Sequence, residues 1–173
     1  MKISVKHVVL GGGCFWCTEA AYKLLPGVVA VESGYAGGTM PNPNYRAVCE
    51  GTSDHAEVVR VSFDPAVIGQ EGVIDFFWRI HDPTTLDRQG HDAGPQYRSI
   101  ILYADETQRA AAVASLARAN PGWGGKIVTR IEPLGRYYAA EDYHQDYFAR
   151  NPHAGYCAAV IRPKIDKLRS SVG

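Results

Sequence analysis

Cys14 and Cys17 stand in the stretch GGGCFWCTEA (residues 11–20), directly behind three glycines and with Phe15 and Trp16 between them. Sulfur attacks as thiolate, and a cysteine of ordinary pKa, about 8.5, is only a few per cent ionised at neutral pH. Here a strand ending in a glycine turn and followed by a helix puts Cys14 at a helix N-terminus. Unpaired N–H groups and the positive end of the helix dipole favour an anion there, so the spacing predicts a lowered Cys14 pKa. Cys17, three residues on, lies over the same helical face, and the two sulfurs can pair. The pair supports thiolate attack or dithiol exchange of the thioredoxin kind, although a lone C-x-x-C is a weak signal for the latter. Two other readings compete. Free cysteines are commonly small buried apolar residues, and Cys14-x-x-Cys17 is half of a zinc site, but no second C-x-x-C and no H-x3–5-H follows it. Cys49, in RAVCEG, has no partner nearby in the sequence and is assigned to the apolar interior.

The elements that must position these sulfurs follow from apolar periodicity. ISVKHVVL (3–10) reads as a buried strand cut off by Gly11-Gly12-Gly13, and FWCTEAAYKLL (15–25) as a helix stopped by Pro26-Gly27. VVAVESGYA (28–36) and AEVVRVSF (56–63) alternate as strands, and QEGVIDFFWRIH (70–81) has helical spacing. YRSIILYA (97–104) is a further strand, and Asp105 caps a helix over 106–120. KIVTRIE (126–132) reads as a last strand, AEDYHQDYFAR (140–150) as a helix, and IRPKIDKLRSS closes the chain. The order up to residue 104 is strand, helix, strand, strand, helix, strand. That predicts an α+β two-layer sandwich with a split β-α-β (ferredoxin-like) core, long loops and a C-terminal extension. The loops at 37–55 and 82–96 exceed the usual length, which marks them as functional.

With 173 residues and neither repeat nor low-complexity linker, the chain reads as one domain, 1–173. Eighteen basic residues balance eighteen acidic ones, so neither nucleic acid nor a membrane surface is indicated as a partner. No apolar run reaches the roughly 20 residues of a membrane span, and Lys6 and His7 interrupt the apolar start, so no secretory leader is expected. The expected location is cytoplasmic, where cysteines are catalytic or metal-binding more often than disulfide-bonded. No G-x-G-x-x-G or G-x-x-x-x-G-K-[ST] stands in the chain, so no cofactor of its own is expected, neither metal, flavin nor nicotinamide.

GGCFWCTE closely resembles the GCFW active-site signature of the A-type peptide methionine sulfoxide reductases. The resemblance continues in the family's order through GYAGG (34–38), PNPNY (41–45), HAEVVRV (55–61), HDPTT (81–85), QYRSII (96–101), AEDYHQDY (140–147) and GYC (155–157). It implies reduction of the S epimer of methionine sulfoxide, free or in proteins, with Cys14 attacking the sulfoxide sulfur. The sulfoxide oxygen leaves only when protonated, and Glu57 matches the family's acid. A carboxyl in an apolar pocket keeps its proton because burial disfavours the anion. Tyr35 and Tyr97 match tyrosines that hydrogen-bond the oxygen, and Asp92 a supporting acidic position. Phe15 and Trp16 would form the apolar pocket for the substrate methyl, and His144 and Tyr147 would line the site. The same resemblance implies that Cys14 becomes a sulfenic acid, captured as a disulfide by Cys157 and recycled by thioredoxin. Two departures bear on that step: many members have glycine where Cys17 stands, and AAVIRPKIDKLRSSVG (158–173) replaces a mobile glycine-rich tail with a further cysteine. Cys17 is therefore a rival for the capturing thiol. Without the resemblance, Cys14 and Cys17 fit a general dithiol–disulfide oxidoreductase, and the aromatics a binding module for methionine.

Overall fold

A computed structural model describes residues 4–172; Ile3, the first residue of the predicted opening strand, lies outside them. Strand β1 (Lys6–Gly11) runs into helix α1 (Phe15–Tyr22), and the chain returns as β2 (Val28–Ala36). A loop carrying the short helix α2 (Tyr45–Cys49) leads to β3 (Ala56–Phe63) and α3 (Gln70–Ile80). A small hairpin, β4 (Arg88–Gln89) and β5 (Asp92–Ala93), precedes β6 (Ile100–Tyr103) and α4 (Glu106–Ala119). The remaining elements are β7 (Arg130–Pro133), β8 (Tyr138–Ala139), α5 (Tyr147–Arg150) and α6 (Arg162–Val172).

The main sheet has the order β7-β6-β1-β3-β2-β8. Its inner strands, β6-β1-β3-β2, are antiparallel throughout and form, with α1 and α3, the split β-α-β unit expected from the sequence. Period-two alternation assigns the faces. Val8 and Leu10 of β1 pair with Val61 and Val59 of β3, and these side chains join Phe15, Tyr22, Ile74 and Phe77 in the core beneath the helices. Val9, Val58, Ile100 and Leu102 point the other way, into a smaller cluster covered by Leu134 and Tyr137. Each fully buried branched or aromatic side chain contributes about 1.5–3 kcal/mol. Tyr35 of β2 faces Glu57 of β3 in the register, which puts a carboxyl on the helix-covered face, beside the start of α1.

Several boundaries differ from the sequence reading. The loop at 37–55 contains α2, because the Asn44 side chain accepts the Ala47 N–H at 2.8 Å and caps one turn. Within 82–96, Gly90 (φ 60°) opens the tight turn of the β4–β5 hairpin. Residues 95–97 form a 3-10 turn, so Tyr97 precedes its strand instead of starting it. The predicted helix over 140–150 is broken: a 3-10 turn spans Asp142–His144, Gln145 is extended and Asp146 is left-handed (φ 56°). The Gln145 side chain accepts from Ser33 N and donates to Ser33 O, each at 2.9 Å, so it continues the edge of β2 beyond β8 as a substitute strand residue. Those bonds outweigh one turn of helix.

Candidate active site

The glycines have a geometric reason. A Cβ on Gly12 would lie 2.7 Å from the His81 ring, and Gly13 has φ 96°, a conformation that side chains rarely adopt. Below this turn His81 is buried and neutral. Its Nδ1–H donates to Phe77 O at 2.7 Å, its Nε2 accepts from Ser99 Oγ at 2.8 Å, and burial depresses its pKa to about 4. The turn delivers Cys14 as the N-cap of α1, with its carbonyl accepting the N–H of Cys17 at 3.1 Å and of Thr18 at 3.3 Å. The side chain is half-buried and lines a cavity of about 290 Å³ together with Gly12, Cys17, Gln89, Asp92, Tyr156 and Lys164.

The expected lowering of the Cys14 pKa does not occur. Burial pushes the thiol well above its ordinary value, and the nearby Glu57 adds to the rise; the Trp16 backbone N–H opposes both, insufficiently. Burial of the sulfur outweighs the help of the helix end, and the neighbouring carboxyl adds to the rise. Glu57 is itself buried, 2 % exposed, and desolvation raises it to about 8 although Phe15 N–H donates to its Oε1 at 3.0 Å. At neutral pH the resting site therefore holds both protons, on sulfur and on carboxyl.

Around this pair stand the other residues that the sequence singled out. Tyr97 is half-buried, and its hydroxyl is held in the neutral form by desolvation and by the charges of Glu57 and Asp92. Tyr35 lies opposite Glu57 but donates its hydroxyl proton to Glu141 Oε1 at 2.9 Å, while Glu141 Oε2 accepts the Tyr45 N–H at 3.0 Å. Asp92 accepts the Tyr156 hydroxyl at 2.5 Å. Phe15 is buried in the core 5.6 Å from the Tyr35 ring and 5.0 Å from His144. Trp16 remains partly exposed. It stacks on Tyr147 at 3.8 Å and 8°, and its indole N–H donates to His144 Nδ1 at 2.9 Å. Tyr147 reaches the indole from the first turn of α5, not as one step of a Tyr143/Tyr147 helical stripe, and Tyr143 is exposed.

The four thiols are all free and lie in different settings. Cys17 is buried against the cavity; Cys157 is fully buried in the core with Ile161 and Ile165 and does not line the cavity. Cys49 corrects its assignment to the interior: it is exposed at the end of α2, beside the Tyr45 hydroxyl, with Glu57 and Glu141 raising its pKa after desolvation. Among the described residues no group of three or more His, Cys, Asp or Glu side chains is placed to hold a metal.

Four residues that shape the site escaped the sequence reading. Glu141 and Tyr156 stood inside the recognised blocks AEDYHQDY and GYC, where their polar side chains were the available signal. Arg98 ties two loops together, donating to Pro95 O at 2.7 Å in one and to Asp54 O at 3.0 Å and Gly37 O at 3.3 Å at the two ends of the other. Lys164 carried no signal at all, being one lysine among several in an amphipathic tail.

A nucleophile paired with a protonated acid is what oxygen removal from a sulfoxide needs, and comparison with known proteins leads to the same chemistry. The family model "Peptide methionine sulfoxide reductase" matches residues 6–172. A peptide methionine sulfoxide reductase MsrA of Halobacterium salinarum is 52% identical over 173 residues, covering 99% of this chain and 98% of that protein. The crystal structure of Mxr1 from Saccharomyces cerevisiae in reduced form superposes with a TM-score of 0.84 at 40% identity, covering 88% of this chain and 89% of that one. Mxr1 in complex with Trx2 gives a TM-score of 0.61 at 31% identity, covering 85% and 89%. With half its residues shared along almost its whole length, and the fold shared with them, this chain belongs to the A-type peptide methionine sulfoxide reductases and is an oxidoreductase.

Proposed function

We propose that the chain reduces the S epimer of methionine sulfoxide, free or within oxidised proteins, through a sulfenic acid on Cys14. One observation carries this reading: the Cys14 thiol opens on a cavity beside a buried carboxyl, Glu57, that keeps its proton at neutral pH. The sulfoxide methyl fits against the half-exposed indole of Trp16, with Phe15 behind it. The sulfoxide oxygen accepts from the Glu57 carboxyl and from Tyr97. Tyr35 supports that position through its ring and its bond to Glu141. Cys14 attacks the sulfoxide sulfur as Glu57 protonates the oxygen; the Cys14–S bond so formed then breaks, its electron pair staying on the methionine sulfur, as that oxygen (or a water replacing it) bonds to the Cys14 sulfur. The net result is oxygen transfer: the substrate sulfur gains two electrons and leaves as methionine, and Cys14 loses two and becomes the sulfenic acid. The resting thiol is protonated, so sulfur must lose its proton as the oxygen gains one. Proximity of the two groups makes that exchange local.

A second thiol of the chain then captures the sulfenic acid as an intramolecular disulfide. The solved complex of Mxr1 with Trx2 supports thioredoxin as the reductant of that disulfide in a reducing compartment. Among the described residues no helix is long and apolar enough to cross a membrane. A general dithiol exchanger would leave the buried Glu57 without a task. Incubation with each sulfoxide epimer and a dithiol, following methionine, tests the reading. The S epimer is expected to turn over and the R epimer not; equal turnover of both, or none of either, would overturn it.

A further inference from the structure

We propose that Lys164, reaching from α6 into the cavity beside Cys14, is a positioning residue that makes Cys17 the thiol that captures the oxidised Cys14. The inference rests on the sulfenic acid reading above and names the second half of that cycle.

The placement of Lys164 follows from how α6 docks. Ile161, Ile165 and Leu168 form the buried stripe that seats the C-terminal segment on the core, and Lys164, half-buried, precedes the middle anchor. Its ammonium is thereby directed into the cavity that Cys14 and Cys17 share. Burial raises the Cys17 thiol, and the positive charge of Lys164, which lines the same cavity, is the principal influence pulling it back down. Among the described residues no carboxylate lies within ion-pair distance of Lys164, so its charge is not already spent on another partner.

Geometry separates the two rivals for capture. Cys14 at the N-cap and Cys17 three residues on are joined by the Cys17 N–H bond to Cys14 O at 3.1 Å. Both side chains line the same cavity at the first turn of α1. Cys157 is fully buried, directed into the core with Ile161 and Ile165, and absent from the cavity wall. Cys157 therefore shares no cavity with Cys14, whereas Cys17 does.

The step balances without any further reagent. The Cys17 thiol loses its proton while Lys164 stabilises the sulfur anion. The S–S bond forms as the S–O bond of the Cys14 sulfenic acid breaks, and the oxygen leaves as water after taking up that proton. The electron pair of the new bond comes from the Cys17 thiolate and both sulfurs end at the disulfide level, so the pair keeps the two-electron oxidation that Cys14 took from the substrate.

The experiment treats the reduced, full-length enzyme with one equivalent of methionine-S-sulfoxide and no reductant. It follows methionine release, disulfide formation and the identity of the linked peptides by mass spectrometry, in wild type, Lys164→Met and Lys164→Arg. The expected wild-type product is Cys14–Cys17. In Lys164→Met the disulfide should form roughly tenfold more slowly at neutral pH, recover as pH is raised, and be restored by Lys164→Arg. A Cys14–Cys157 link in wild type overturns the inference, as does an unchanged rate and pH profile in Lys164→Met. Cys17→Ser keeps the test open if Lys164→Met folds poorly: it should leave an alkylatable sulfenic acid on Cys14, and a disulfide forming at the wild-type rate contradicts the proposal. Absence of methionine in wild type is a different failure and refutes the reductase reading itself.

Discussion

In the proposed reaction Cys14 and Glu57 divide one problem, how to keep a nucleophile and an acid ready together in a small space. Burial solves it by holding both neutral, so that each is charged only when the other changes. Glu57→Gln preserves the acceptor for Phe15 N–H and removes the proton donor, and is expected to slow methionine formation about 10²–10⁴-fold. Wild-type kcat/KM should fall as pH rises through about 8, where Glu57 loses its proton, and this limb should vanish in Glu57→Gln. Stability follows the same group in a known direction. A carboxyl raised in the folded state favours folding fully only below its unfolded value and loses that contribution as pH climbs to about 8. Thermal unfolding of Glu57→Gln should therefore match wild type in acid and exceed it in alkali; a variant less stable at pH 9 would contradict this. At this scale the placement of Cys14 at the start of a helix was legible in GGGCFWC, and its ionisation was not. The helix-end argument counts only the local dipole, whereas Glu57 arrives from a strand 43 residues away in sequence and is visible only once β3 is folded beside α1.

Elements hold the aromatic wall by means other than their own periodicity. Gln145 serves as an edge-strand surrogate on Ser33, and that bond forces Asp142–His144 and α5 into separate turns. The break is what lets His144 accept from the Trp16 indole while Tyr147 stacks on its face. Gln145→Ala is expected to cost about 1–3 kcal/mol in chemical denaturation by leaving Ser33 backbone groups unpaired, and to raise KM more than it lowers kcat. Arg98→Ala should release three loop carbonyls at once, with a similar loss of stability. Unchanged denaturation midpoints would show these bonds to be incidental. A residue standing in for a strand by its side chain leaves no alternation to read, so AEDYHQDYFAR looked like one helix; by contrast VVAVESGYA and AEVVRVSF were read with their observed limits.

Across the whole molecule, the split β-α-β arrangement was legible because four apolar strands and two helices in that sequence have few ways to bury both faces. The C-terminal segment was not, since its lysines and leucine fit any surface helix until Ile161, Ile165 and Leu168 are seen to seat α6 against the core. That seating leaves Cys14 and Cys17 on one cavity, and a second cavity of about 850 Å³ shares Gln89, Val160 and Lys164 with the first. The most direct measurement is a thiol count before and after one equivalent of methionine-S-sulfoxide, without reductant, with methionine measured in the same sample. The account predicts one methionine released and two thiols lost per chain, and neither change in Cys14→Ser. Methionine bound but not formed, with all four thiols still titrating, would contradict it.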